Sequence, residues 1–240
     1  MILTELIQRS PIRIFEQSIK GGLKAGEIGI IVSQNGLGKT SVLVQLAMDK
    51  LLQGKKVIHV SFTQHTHYVL AWYEDIFNEF ISKKNLENIR DIKNDLVKHR
   101  VLMNFNQDGM SADQILRSLR AMIIDGNFKA EAIIIDGFDF TRVDSEHRLQ
   151  SSFAAVKTFA QELGLSVWFS CSVSDKGQQY NEHKFPLIFS SCSQYIDIVI
   201  ILEQKHDHIS LSLSKDRDSQ NTKALAMRLD PRTLLILEDN

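Results

Sequence analysis

Residues Ile28-Gly29-Ile30-Ile31-Val32-Ser33-Gln34-Asn35-Gly36-Leu37-Gly38-Lys39-Thr40-Ser41 constrain this chain more than any other stretch. An apolar run of strand length ends at polar residues, turns through Gly36 and Gly38, and enters a segment of helical periodicity at Lys39. A strand that is apolar without alternation needs cover on both faces, and a helix starting from a tight glycine turn packs back onto it. This is the strand–loop–helix unit of a parallel α/β fold. Its spelling lies close to the P-loop, G-x-x-x-x-G-K-[ST], whose backbone N–H groups and helix N-terminus cradle phosphates. Ser33 stands where that pattern has its first Gly. Phosphate binding is expected from Ser33, Asn35, Gly36, Leu37, Gly38, Lys39, Thr40 and Ser41. Lys39 would reach toward the β/γ-phosphates and Thr40 would offer its hydroxyl to Mg²⁺.

The rest of the chain repeats the unit. Apolar runs predict strands at 29–33, 57–62, 101–105, 132–136, 166–170, 196–202 and 209–214, and helical stripes predict helices at 39–52, 68–81, 112–124 and 149–163. Ser111 with Gln114 spells a capping box for the third helix, and Gly164 a stop for the fourth. The residues around 204–208 are polar, so the last two strands are expected to form an antiparallel hairpin. The fold class is therefore α/β: a mainly parallel central sheet flanked by helices, with an antiparallel C-terminal hairpin. With 3 Pro and 12 Gly in 240 residues there is no linker composition, so a single domain over 1–240 is expected, its core at roughly 12–220.

A net charge of −1 gives no global pull toward nucleic acid or acidic membranes. No apolar run is long enough to span a bilayer, and the start lacks the plan of a signal peptide. Cys171 and Cys192 form no metal-like pair and are expected as reduced thiols, which places the chain in the cytoplasm.

Ala132-Ile133-Ile134-Ile135-Asp136 is a buried-strand spelling ending in an acid. Downstream of a P-loop, such an Asp is positioned to support Mg²⁺. Together with Gly21-Gly22-Leu23-Lys24-Ala25-Gly26-Glu27-Ile28 ahead of the loop and Gln53-Gly54-Lys55-Lys56-Val57 after its helix, the chain resembles RecA-like P-loop ATPases. The branch is the one shared by DnaB-type helicases, RadA-type recombinase relatives and KaiC-type ATPases. The resemblance implies ATP and Mg²⁺ as ligands, a homo-oligomer (a ring or hexamer) and in-line hydrolysis by water. It also makes Ser214-Lys215-Asp216-Arg217 similar to a Lys-x-Arg pair, so that Lys215 and Arg217 would reach a neighbouring subunit's γ-phosphate.

Two positions depart from that branch. Thr63 stands where a catalytic Glu follows the second strand, and Gly137, directly after Asp136, holds no carboxylate either. General-base help is worth roughly 10²–10⁴-fold, so hydrolysis is expected to be slow unless Gln64 orients a water or His65 accepts a proton. Cys171-Ser172 occupies the place of a polar γ-phosphate sensor.

The pairs His65-x-His67 and His206-x-His208 lack further ligands and read as loop histidines. The loops 137–148 and 172–187 balance Arg142, Arg148, Lys176 and Lys184 against nearby acids, so nucleic-acid contact is open but unsupported by charge. The aromatic stripe through Tyr68, Trp72, Tyr73, Phe77 and Phe80 reads as core or subunit contact. Three readings stay open: a slow Mg-dependent ATPase in an oligomer, a nucleotide-binding regulatory or assembly protein, and a DNA-associated recombinase- or helicase-like ATPase.

Overall fold

The computed structural model of the chain describes residues 11–82, 89–108, 110–174 and 179–239. In chain order the elements are α1 (Pro11–Ser18), β1 (Ile28–Ser33), α2 (Lys39–Leu52), β2 (Val57–Ser61), α3 (Thr66–Ser82), α4 (Ile89–Lys98), β3 (Arg100–Asn104), α5 (Ala112–Ile124), β4 (Ala132–Asp136), α6 (Glu146–Leu163), β5 (Ser166–Ser172), β6 (Ile198–Gln204), β7 (Ile209–Asp216), β8 (Lys223–Leu229) and β9 (Ile236–Glu238). Short 3-10 turns cover Phe140–Arg142 and Leu187–Tyr195.

The strands form one sheet in the order β3-β2-β4-β5-β1-β6-β7-β8-β9. Pairings from β3 through β6 are parallel, and those of β6–β7, β7–β8 and β8–β9 are antiparallel. Every residue of β1, β2 and β4 is buried, because helices cover both faces. Ile31, Ile134, Trp168 and Ile200 face the α2 side, whereas Ile30, Ile133, Phe169 and Ile201 meet α5 and α6 on the other side. The Trp168 indole takes the space beside its register partner Gly29, where a Cβ would fall 2.4 Å from Cζ3. That close approach is why the strand of apolar β-branched residues is broken by a glycine.

All seven expected strands are present, with ends shifted by a residue or two, and the 112–124 and 39–52 helices fall where their stripes predict. Ser111 and Gln114 make the capping box, and Gly164 ends α6 at φ 64°. The expected core end near 220 is corrected: β8 and β9 extend the same sheet, with Met227, Leu229 and Ile236 fully buried. The sequence reading also missed α1, which buries Ile12, Phe15 and Ile19, and α4. Residues 1–5, Asp175 and Lys176, which entered the expectations on targeting and charge, lie outside the described residues.

Candidate functional site

β1, β2, β4 and β5 end close together, with β1 and β5 running two residues past β2 and β4. Ser33, Ser61, Asp136 and Ser170 share the side-chain parity of Ile31, His59, Ile134 and Trp168, and all four are buried. Polar residues thus gather at one end of a face that, His59 apart, is apolar below them.

The 33–40 loop closes above this end. Gly36 and Gly38 sit at φ 81° and 84°, a left-handed conformation that favours glycine. A Cβ at Gly38 would also fall 2.4 Å from Leu229 Cδ2. Gly38 caps α2 without a side-chain hydrogen bond, so first-turn N–H groups are open to an external acceptor and carry the positive end of the helix dipole. Lys39 Nζ folds back over the loop and donates to Ser33 O (3.3 Å), Ser33 Oγ (3.1 Å) and Gln34 O (2.9 Å). Burial lowers the pKa of this ammonium. An anion held at the loop would restore the charge balance that burial removes.

Thr40 and Asp136 are brought together: Thr40 Oγ1 donates to Asp136 Oδ2 at 2.8 Å. The other carboxylate oxygen, Oδ1, accepts from Ser170 Oγ at 2.6 Å, and Ser170 Oγ in turn accepts from Gly137 N at 2.8 Å. One carboxylate and a hydroxyl at a helix N-terminus suit Mg²⁺, a hard cation that takes few protein oxygens beside substrate phosphates. Among the described residues, no group of three or more His, Cys, Asp or Glu is placed to hold a metal by itself.

Ser41 is corrected. Its hydroxyl points inward and donates to Leu234 O, which also accepts from Gln45 Nε2 at 2.9 Å, while Gln45 Oε1 accepts from Ile236 N at 2.8 Å. Only its backbone N–H is left for a phosphate. These bonds fasten the β8–β9 turn to α2, a contact that no local spelling reveals. Leu37 packs against the core, while Asn35 is exposed at the loop tip.

Thr63 lies against Gly137, where a Cβ would fall 2.5 Å from Thr63 Oγ1. Gln64 donates its N–H to Ser61 Oγ and accepts from Asn104 Nδ2 at its backbone O. Its Oε1 is shielded without a partner and borders a cavity of about 740 Å³ shared with Trp72 and Arg232. None of its hydrogen bonds reaches the 33–40 loop.

Lys215 and Arg217 are not at this end. Register pairs Val199 with Lys215 and Ile198 with Asp216, which are level with Gly29 at the start of β1. Lys215 is buried and donates to Ser193 O. Arg217 makes a two-pronged pair with Glu27, through Nε (2.8 Å) and Nη2 (2.9 Å), and also bonds Gly22 O and Asp216. Both cations expected in trans have partners within their own chain.

The His65 and His67 rings stack at 5.9 Å. Tyr73 and Phe77 of the aromatic stripe are core, whereas Tyr68 is exposed. In the 137–148 loop Arg142 pairs with Asp108 (2.6 Å) and Arg148 with Asp144 (2.9 Å), both at the exposed surface. Burial pushes the Cys171 and Cys192 thiols up to about 12, so both are protonated and poor nucleophiles at neutral pH.

The fold is thus α/β, with a mostly parallel sheet and antiparallel C-terminal strands, and no helix among the described residues is long and apolar enough to cross a membrane. No family model and no curated protein matches this chain.

Proposed function

We propose that the chain binds ATP with Mg²⁺ at the 33–40 loop and hydrolyses it slowly or not at all, so that the bound nucleotide acts as a regulatory or assembly ligand. The observation that carries this reading is the 2.8 Å contact of Thr40 Oγ1 with Asp136 Oδ2, which joins two residues 96 positions apart at the mouth of a glycine loop. Loop N–H groups would take the phosphate oxygens. Lys39 would exchange Ser33 O and Gln34 O for the β/γ-phosphates, a swap of neutral acceptors for charged ones. Thr40 and Asp136 would hold the Mg²⁺ shell, and the ion would neutralise charge on the phosphates. A water attacking the γ-phosphate would find no carboxylate at position 63 or 137. The ring or hexamer implied by the resemblance is part of the proposal. A DNA-directed motor is not favoured, since the arginines of the 137–148 loop are paired.

The test is equilibrium binding of a fluorescent ATP analogue, with phosphate release measured beside it. Lys39→Ala should weaken binding about 10–100-fold, the value of a charge-assisted contact, and wild-type phosphate release should stay near that of Lys39→Ala. Equal binding by both proteins would overturn the nucleotide reading. Turnover well above the Lys39→Ala level would overturn the non-hydrolysing half of it.

A further inference from the structure

We infer that Ser170 is the positioning residue for the Asp136 carboxylate, and that it sets how strongly Mg²⁺ adds to nucleotide binding. This rests on the reading of the 33–40 loop as a nucleotide site.

β5 is inserted between β1, which carries the glycine loop, and β4, which carries Asp136. Register places Ser170 beside Ile31 on one side, while the preceding Phe169 pairs with Ile135, the neighbour of Asp136, on the other. A side chain of α2-side parity at position 170 therefore stands between the loop strand and the acid. It is 2 % exposed, so any polar group there needs partners in the protein.

The chemistry of those partners fixes the hydroxyl. Gly137 N–H can only donate, so the 2.8 Å contact makes Ser170 Oγ an acceptor there. An ionised carboxylate can only accept, so the 2.6 Å contact uses the hydroxyl proton on Asp136 Oδ1. No other assignment satisfies both. The hydroxyl is thus a bridge between the backbone just after Asp136 and the Asp136 side chain, and it holds the carboxylate plane against its own turn. Oδ1 is occupied, and Oδ2 is left facing Thr40 Oγ1 at 2.8 Å. Without Ser170 the carboxylate loses the anchor that keeps Oδ2 on the loop side, and Gly137 N–H loses its acceptor.

Outer partners of a metal-side carboxylate typically change metal affinity 10–100-fold when removed. Ser170→Ala should therefore raise the Mg²⁺ concentration needed for tight binding of the fluorescent ATP analogue about 10–100-fold. Affinity in EDTA should stay within about twofold of wild type, because the loop and Lys39 are untouched. Ser170→Thr, which keeps the hydroxyl, should titrate with Mg²⁺ like wild type. Circular dichroism melting in EDTA checks that both variants are folded.

A Ser170→Ala protein with a wild-type Mg²⁺ titration overturns the inference. So does a Ser170→Ala protein that loses affinity equally with and without Mg²⁺, since that is a general structural defect. If wild type binds the analogue no better with Mg²⁺ than in EDTA, or no better than Lys39→Ala does, the nucleotide reading fails first and this inference fails with it. The two failures are distinguished by wild type and Lys39→Ala, without any Ser170 variant.

Discussion

The Thr63 hydroxyl lies so close over Gly137 that a Cβ on residue 137 would fall 2.5 Å from it. Gly137 also holds φ at 77°, a conformation that disfavours any side chain. The two places where a general base could follow β2 or β4 are therefore one spot in space, and the glycine cannot be the one to fill it. Of the two positions, 63 is the one that can carry a carboxylate, and it is exposed. On the nucleotide reading, Thr63→Glu should raise phosphate release above wild type by at least about tenfold, a floor below the roughly 10²–10⁴-fold that a well-placed general base supplies. Steady-state phosphate release measures it, with Thr63→Glu/Lys39→Ala as the control that should return to background. An unchanged rate in Thr63→Glu, with nucleotide still bound, would show that the missing carboxylate is not what limits hydrolysis.

Two buried groups give the α2 side of the sheet opposing responses to acid. Asp49, on the last turns of α2, accepts from Gln53 Nε2 (2.6 Å) and pairs with Arg13 of α1 (3.2 Å), beside Glu16 and Lys50. Burial pushes its carboxyl up to about 6 from 3.8, with Arg13 only partly offsetting, and its Oδ1 has no partner. The folded chain then holds a proton that the unfolded chain has released, so Asp49 favours folding at low pH and this is lost as pH rises through about 6. His59 of β2 is fully buried against the Tyr73 hydroxyl at 3.1 Å, and burial lowers it to about 4 from 6.5. Here the unfolded chain takes the proton first, so the stability present above pH 6.5 is lost as pH falls toward about 4. Displacements of this size are worth roughly 3 kcal/mol each, with opposite slopes that largely cancel. Asp49→Asn should uncover the His59 slope: its melting temperature should match or exceed wild type at pH 7.5 and fall at least ~5 °C further than wild type on going to pH 4.5. Parallel melting profiles across that range would show that the two groups do not oppose each other.

At the scale of the molecule, the reach of the sequence followed the locality of each signal. β1, β2, β4 and β5 were legible because unalternating apolar runs have few other uses in a chain of this length. β8 was not, since Lys223, Ala224, Ala226 and Arg228 dilute the Leu225, Met227 and Leu229 stripe that the sheet buries. Lys39, Thr40 and Asp136 stand out as candidates from spelling, whereas Ser170 and the Ser41–Leu234 bond depend on strand order and on a contact 193 positions apart. Arg217 shows the reverse case, a residue whose spelling suggested a partner subunit and whose contacts are internal. Its guanidinium joins Glu27, Gly22 O and Asp216, tying the segment before β1 to the end of β7, and only 19 % of the side chain is exposed. Removing one partner of such a pair strands the other, at about 2–3 kcal/mol, below the roughly 3–5 kcal/mol of a fully enclosed pair. Arg217→Ala should therefore lower stability by that amount in urea unfolding, and Glu27→Gln/Arg217→Ala should cost less than the sum of the single changes. If the expectation in trans were right instead, Arg217→Ala would unfold like wild type. The internal clamp predicts that Arg217→Ala unfolds at a lower urea concentration than wild type.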